Sequence, residues 1–243
     1  MTLTNDTKDD FEYTGVDNLE VMLEAKRYNA FLADLIVAHR SSTGAVLDFG
    51  AGIGTFSEMV RDRGLNVTCL EIDAYQSDIL RGKGFDVARD SADLSDESFD
   101  YIFSLNVFEH IEDHEAAMAE CARMLRPGGV ILTYVPAFQV LFGDMDRKVE
   151  HYRRYTRASL ADLARSADLE LLQTRYVDVA GFFVSLVYNA TSRGSGDINT
   201  GSIKVYDRFI FPVSRIVDRA TQPFIGKNAW SLARKPGPSA PPR

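Results

Sequence analysis

Cysteine is scarce in this chain, with two residues in 243, Cys69 and Cys121. They form no C-x-x-C pair and sit inside apolar patterns. No disulfide framework is expected, and both read as buried thiols in a reducing compartment. Long apolar runs are missing too. The longest, VAGFFVSLV at 179–187, falls far short of the roughly 20 residues that span a bilayer. No membrane span is expected. The opening MTLTNDTKDDFE is polar and acidic, unlike a secretory leader, so a cytoplasmic location is expected. Basic residues are outnumbered, 27 Lys and Arg against 35 Asp and Glu, for a formal net charge of −8. An acidic surface repels phosphate backbones, so no nucleic-acid partner is expected. No internal repeat is found.

Hydrophobic residues make up 45% of the chain, enough for the core of one sizeable domain. Apolar residues recur at helical spacing over 18–39 and predict a helix. Strand and helix then alternate: strand 45–49, helix 55–63, strand 66–71, helix 74–82, strand 85–89, strand 100–105, helix 113–125 ending at RPGG, and strand 129–135. Gly64, Gly84 and Gly128 mark the joints. The alternation predicts an α/β fold, an open parallel sheet with helices on both faces. Ligands of such sheets lie beyond the carboxyl ends of the strands. Past residue 136 come a charged loop (143–155), a helix (156–167) and a strand near 169–177. An apolar stretch (179–188) and the flexible linker TSRGSGDINTGS follow. Helical spacing over 203–220 is interrupted at Pro212, and NAWSLAR at 228–234 closes the fold. The expected organisation is an N-terminal helical cap (1–43), a domain at 44–235 with an apolar helical insertion or lid at 179–225, and a Pro-rich, disordered tail at 236–243.

The sharpest local signal is VLDFGAGIGTFS at 46–57. Glycine lets the backbone take positive φ and lets a ligand approach closely. The helix that follows aims its N-terminal amides at the turn. Gly50, Gly52 and Gly54 make G-x-G-x-G, whereas a dinucleotide fingerprint needs its third glycine at 55, which is Thr55. A plain tight turn is the alternative. The next strand ends at Glu71, followed by Ile72 and Asp73. A carboxylate there can accept both hydroxyls of a ribose, or stand as an ordinary surface acid.

Taken together, VLDFGAGIGTFS, CLEID, DSADLSDESFDYIFSLNVFEHIED and MLRPGGVILTYVP resemble the successive motifs of class I S-adenosylmethionine-dependent methyltransferases over about residues 44–136. HYRRYT and GKNAWSLARK are similar to a bacterial branch with small-molecule or envelope-related substrates. The resemblance implies a Rossmann-like, mostly parallel seven-stranded sheet whose last strand is antiparallel. It implies S-adenosylmethionine as cofactor, its methionine part over Gly50, Gly52 and Gly54 with Asp48 at the base of the turn. Glu71 and Ile72 would meet the ribose, Asp90 and Ser91 the adenine, and Leu105 and Asn106 the sulfonium. Capping of a short helix is the competing reading of Asp90.

Methyl transfer from a sulfonium is an in-line displacement, so the enzyme mainly aligns the reacting atoms and excludes water. A hydroxyl acceptor gains roughly 10²–10⁴-fold from a general base. Of the four histidines, His39 ends a helix and reads as structural, and His114 opens one and reads as solvated. His110 and His151 follow strands four and five and are the candidate catalytic groups, His151 as base. In NVFEHIED, Asn106 stands where metal-binding relatives with E-x-x-E-H carry a carboxylate, so no metal is expected. Around His151, Arg153 and Arg154 either clamp a carboxylate or phosphate of the acceptor or pair with Asp144, Asp146 and Glu150. The expected reaction is methylation of a small-molecule acceptor, lipophilic or anionic, at a hydroxyl or amine. The apolar segment 179–220 has three uses: core packing, a homodimer face, or a lid. The rivals are an NAD(P)-dependent oxidoreductase, disfavoured by G-x-G-x-G and FEHIED, and a non-catalytic cofactor-binding subunit.

Overall fold

The computed structural model describes residues 23–40, 44–191 and 200–237. The acidic N-terminus, most of the linker and the end of the tail lie outside the described residues. The chain runs α1 (Lys26–His39), β1 (Val46–Phe49), α2 (Thr55–Arg61), β2 (Val67–Leu70), α3 (Ala74–Gly82), β3 (Asp86–Ala88), β4 (Phe99–Leu105), α4 (His114–Met124), β5 (Leu125–Pro136), α5 (Asp144–Lys148), α6 (Arg157–Ser166), β6 (Glu170–Val177), α7 (Val179–Thr191), α8 (Thr200–Val205), α9 (Phe211–Thr221) and β7 (Asn228–Arg234).

One sheet of seven strands has the order β3-β2-β1-β4-β5-β7-β6. β7 runs antiparallel between β5 and β6, and the pairings from β3 through to β5 are parallel. The strand order reverses between β1 and β4, which opens a crevice beyond their carboxyl ends. Strands covered on both faces read as near-continuous apolar runs, and β1 and β4 do. Successive side chains point to opposite faces: in β4, Ile102 joins Leu47, Met118 and Leu163 under α4 and α6. Its neighbours Tyr101 and Phe103 join Leu32, Ile36, Val60 and Leu80 under α1, α2 and α3. Both cysteines are free and buried.

Two local expectations shift. Helix α4 ends at Met124, just before the RPGG run, as expected, but the strand that follows begins at Leu125 and not at 129, so RPGG is not a connecting turn. It lies inside β5, where Gly128 N–H donates to the Lys235 carbonyl at 2.8 Å and Lys235 N–H to Gly129 at 2.9 Å. The charged loop at 143–155 contains α5, a single turn. Pro212 sits in the first turn of α9, after a π-helical turn at Tyr206–Ile210. The helical path continues across the proline, with the ladder changed in the preceding turn. Among the described residues no helix is long and apolar enough to cross a membrane.

Candidate active site

The turn after β1 is held from below. Asp48 is buried and accepts from Ser57 Oγ at 2.6 Å. Burial, against that hydrogen bond and with the nearby Glu71 charge, pushes its carboxyl up to about 7. Gly50 and Gly52 take φ of 79° and 56°, a region costly to other residues. The reasons differ. A Cβ on Gly50 would lie 2.5 Å from Val107 Cγ2, whereas one on Gly52 would meet only Gln76 Oε1, at 3.3 Å. Gly50 lets the turn pack on the segment after β4, and Gly52 leaves room on the crevice side.

Glu71 braces that turn. Its Oε2 accepts from Gly52 N–H at 2.7 Å and its Oε1 from Asp73 N–H at 2.9 Å. It is therefore buried and committed, not a surface acid. Burial raises its pKa against the pull of those two amides. A carboxylate offers about four lone-pair sites, so capacity for further donors remains. Ile72 beside it is 53% exposed. Asp90 caps the short helical turn Ser91–Asp93, accepting from Ala92 N–H at 3.0 Å, so the capping reading holds at this position.

Strain gathers at the same edge. Asn106 follows β4 with φ 54°, Phe138 follows β5 with φ 62°, Asp178 follows β6 with φ 67°, and Glu150 precedes His151 with φ 60°. Side-chain-bearing residues in this region are costly and cluster at functional sites.

The segments after β4 and β5 are sewn together. Tyr152 N–H donates to the Glu109 carbonyl at 2.8 Å. The buried Tyr155 hydroxyl donates to the Phe108 carbonyl at 3.1 Å and lies 2.8 Å from His114 Nδ1. His114 is thus partly buried and bonded, not solvated as expected. This stitching brings the His110 and His151 rings edge to face, centroids 4.5 Å apart. His151 Nδ1 lies 2.8 Å from Asp146 Oδ1, and its Nε2 lies 3.9 Å from Glu109 Oε1. Burial, helped by the facing His151, lowers the His110 pKa to about 4, so His110 is neutral. Burial pushes the Glu109 carboxyl up to about 8. At Asp146 burial acts upward, but bonds from His151 and Arg154 outweigh it and bring the carboxyl to about 2.

Arg154 is not a free clamp. Its Nε and Nη2 grip the Asp146 carboxylate at 2.8 and 3.0 Å. Arg153 donates to the Glu112 carbonyl at 2.8 Å and lies over the Tyr152 ring. Sequence reasoning passed over two members of this cluster: Asp146 as partner of His151, and Glu109 as a buried acid. Nothing in the local spacing marks Asp146. For Glu109 the signal was its place between Phe108 and the histidine. His39 is structural as read, its Nδ1 on the Leu35 carbonyl at 2.9 Å.

Residues 23–174 match the family model described as a methyltransferase domain. The chain belongs to that family, and the fold and crevice are those of a class I S-adenosylmethionine-dependent methyltransferase. The oxidoreductase alternative falls with this finding, and the cofactor is S-adenosyl-L-methionine. The ubiquinone biosynthesis O-methyltransferase of Xanthomonas oryzae is 29% identical over 167 residues, 59% of this chain and 70% of its own. A relative from Mycolicibacterium smegmatis is 29% identical over 145 residues, 57% of this chain and 56% of its own. Among solved structures, the 1,6-didemethyltoxoflavin-N1-methyltransferase of Burkholderia thailandensis shares the fold at TM-score 0.59 and 16% identity, covering 94% of this chain and 87% of that one.

Proposed function

We propose that this protein transfers a methyl group from S-adenosylmethionine to a small-molecule acceptor, at a hydroxyl or an amine. The observation that carries the reading is the convergence, on one sheet edge, of the braced glycine turn and the paired histidines after β4 and β5. The cofactor, when bound, supplies an electrophilic methyl on a sulfonium. Glu71 accepts the ribose hydroxyls while keeping Gly52 and Asp73 in place. Ile72 gives the ribose and base an apolar seat, and Asp90 and Ser91 border the adenine. Asp48 and the Gly50–Gly54 turn cradle the methionine end, and Leu105 and Asn106 line the approach to the sulfur.

His151 is the general base of the metal-free protein. Asp146 orients the ring through Nδ1, and Nε2 turns to the acceptor. Neutral His110 walls the same space. Relatives named as O-methyltransferases favour a hydroxyl. Helices α7 to α9 expose Phe183, Val187, Phe209 and Ile216, more apolar surface than a monomer usually leaves in water. Their use is a lid over a lipophilic acceptor. The test is transfer from methyl-labelled S-adenosylmethionine to a panel of hydroxylated and amine-bearing small molecules. Turnover is expected on an acceptor with an apolar body. Cofactor binding with no transfer to any acceptor would favour a binding subunit instead.

A further inference from the structure

We infer that Glu109, His110 and His151 form a binding site for a divalent transition ion, with zinc as the reference ligand. Each residue offers one ligand atom, and all three atoms lie within 4.8 Å of one another. Two imidazole nitrogens and one carboxylate make a donor set that holds such an ion while leaving positions open.

The carboxylate is the first argument. Glu109 is wholly buried, and neither of its oxygens has a hydrogen-bond partner. Buried polar groups are nearly always paired. The 3.9 Å from Glu109 Oε1 to His151 Nε2 is too long for a hydrogen bond. It is about half an ångström more than the roughly 3.4 Å between two atoms that share one tetrahedral ion at about 2.0–2.2 Å each, a gap that a small side-chain rotation closes.

The histidines are the second argument, and it is independent. Each ring is oriented from behind. His151 Nδ1 rests on Asp146 Oδ1 at 2.8 Å, and Asp146 is itself fixed by Arg154. Behind His110 lies the Val149 backbone, which favours the protonated ring. A carboxylate or carbonyl behind an imidazole fixes the tautomer and presents the other nitrogen as a lone pair, the usual support of a ligating histidine. Both segments are also held rigidly: Tyr152 N–H on the Glu109 carbonyl and Tyr155 on Phe108 fix them at one spacing.

Asn106 removes a carboxylate from the E-x-x-E-H pattern, which argued against an ion. The fold brings in His151 from the far side of the crevice. An ion on Nε2 takes the place of the base, because it lowers the pKa of a bound hydroxyl directly. That consequence rests on the function proposed above; the binding of the ion does not.

The whole chain, stripped with EDTA and dialysed, is titrated with Zn²⁺ by calorimetry. S-adenosylmethionine is titrated into the same samples. One zinc per chain is expected, with affinity at least ten-fold weaker in both His151→Gln and Glu109→Gln and cofactor affinity unchanged. Asp146→Asn is expected to weaken zinc roughly 10–100-fold. Should Glu109→Gln fail to fold by circular dichroism, the partly exposed His151→Gln decides. No stoichiometric zinc in the parent protein, or equal zinc in parent and variants, overturns the site. Loss of cofactor binding with zinc retained counts against the proposed function and leaves the site standing.

Discussion

Truncating Glu71 to alanine tests the centre of the site. The side chain is buried and joins two turns through bonds of 2.7 and 2.9 Å. Hydrogen bonds to a charged group are worth about 1.5–3 kcal/mol each. Relief of the buried charge returns part of that, so the free protein should lose about 3 kcal/mol. For a domain of this size that is roughly 6–12 °C in Tm. Bonds from the same carboxylate to the ribose add a comparable amount to cofactor binding. Affinity for S-adenosylmethionine should therefore fall about ten- to a hundred-fold. Calorimetry on protein shown to be folded by circular dichroism measures it. Glu71→Gln keeps one acceptor oxygen and should fall between the parent and Glu71→Ala. Unchanged cofactor affinity in folded Glu71→Ala would refute the reasoning.

Asp48 ionises near its ordinary 3.8 when unfolded and near 7 when folded. The fold thus retains a proton across that window, and stability falls as pH rises through it. At about 1.4 kcal/mol per pH unit, Asp48→Asn should flatten the pH dependence of the unfolding free energy from urea melts by up to about 4 kcal/mol between pH 4 and 7. Parallel profiles would count against it. In metal-free protein His151→Gln should lower kcat about 10²–10⁴-fold with cofactor affinity unchanged; a drop of less than three-fold would remove the base. In the insertion, Phe211 is 2% exposed and packs on Tyr28 with centroids 5.2 Å apart, whereas Phe209 is 61% exposed. Phe211→Ser should cost about 3–5 kcal/mol. Phe209→Ser should leave Tm unchanged and raise the acceptor KM if the segment is a lid. A shift from dimer to monomer in light scattering would mean an interface instead.

The fold class was legible because the strands are covered on both faces and so read as short apolar runs bounded by glycines. β7 was found to the residue, since NAWSLAR stands between polar segments. The RPGG run marked the end of α4 but hid the start of β5, because Pro and Gly stop helices and interrupt strand patterns alike. Side-chain chemistry was harder. Glu71 was visible from its place at a strand end, but its role as a brace between two turns was not, because both partners are backbone amides. His110 and His151 were singled out by position alone. Their meeting depends on Tyr155, a core residue in a loop that reads as charged and solvated. Asp146 and Arg154 looked like surface charges, and only packing reveals them as a buried pair behind His151.

The most direct test of the central claim is a crystal structure with S-adenosylhomocysteine soaked or co-crystallised. The account requires both ribose hydroxyls on Glu71, the amino-acid end over Gly52 and the sulfur beside Asn106, facing His110 and His151. A cofactor bound elsewhere, or a ribose that does not touch Glu71, would contradict it.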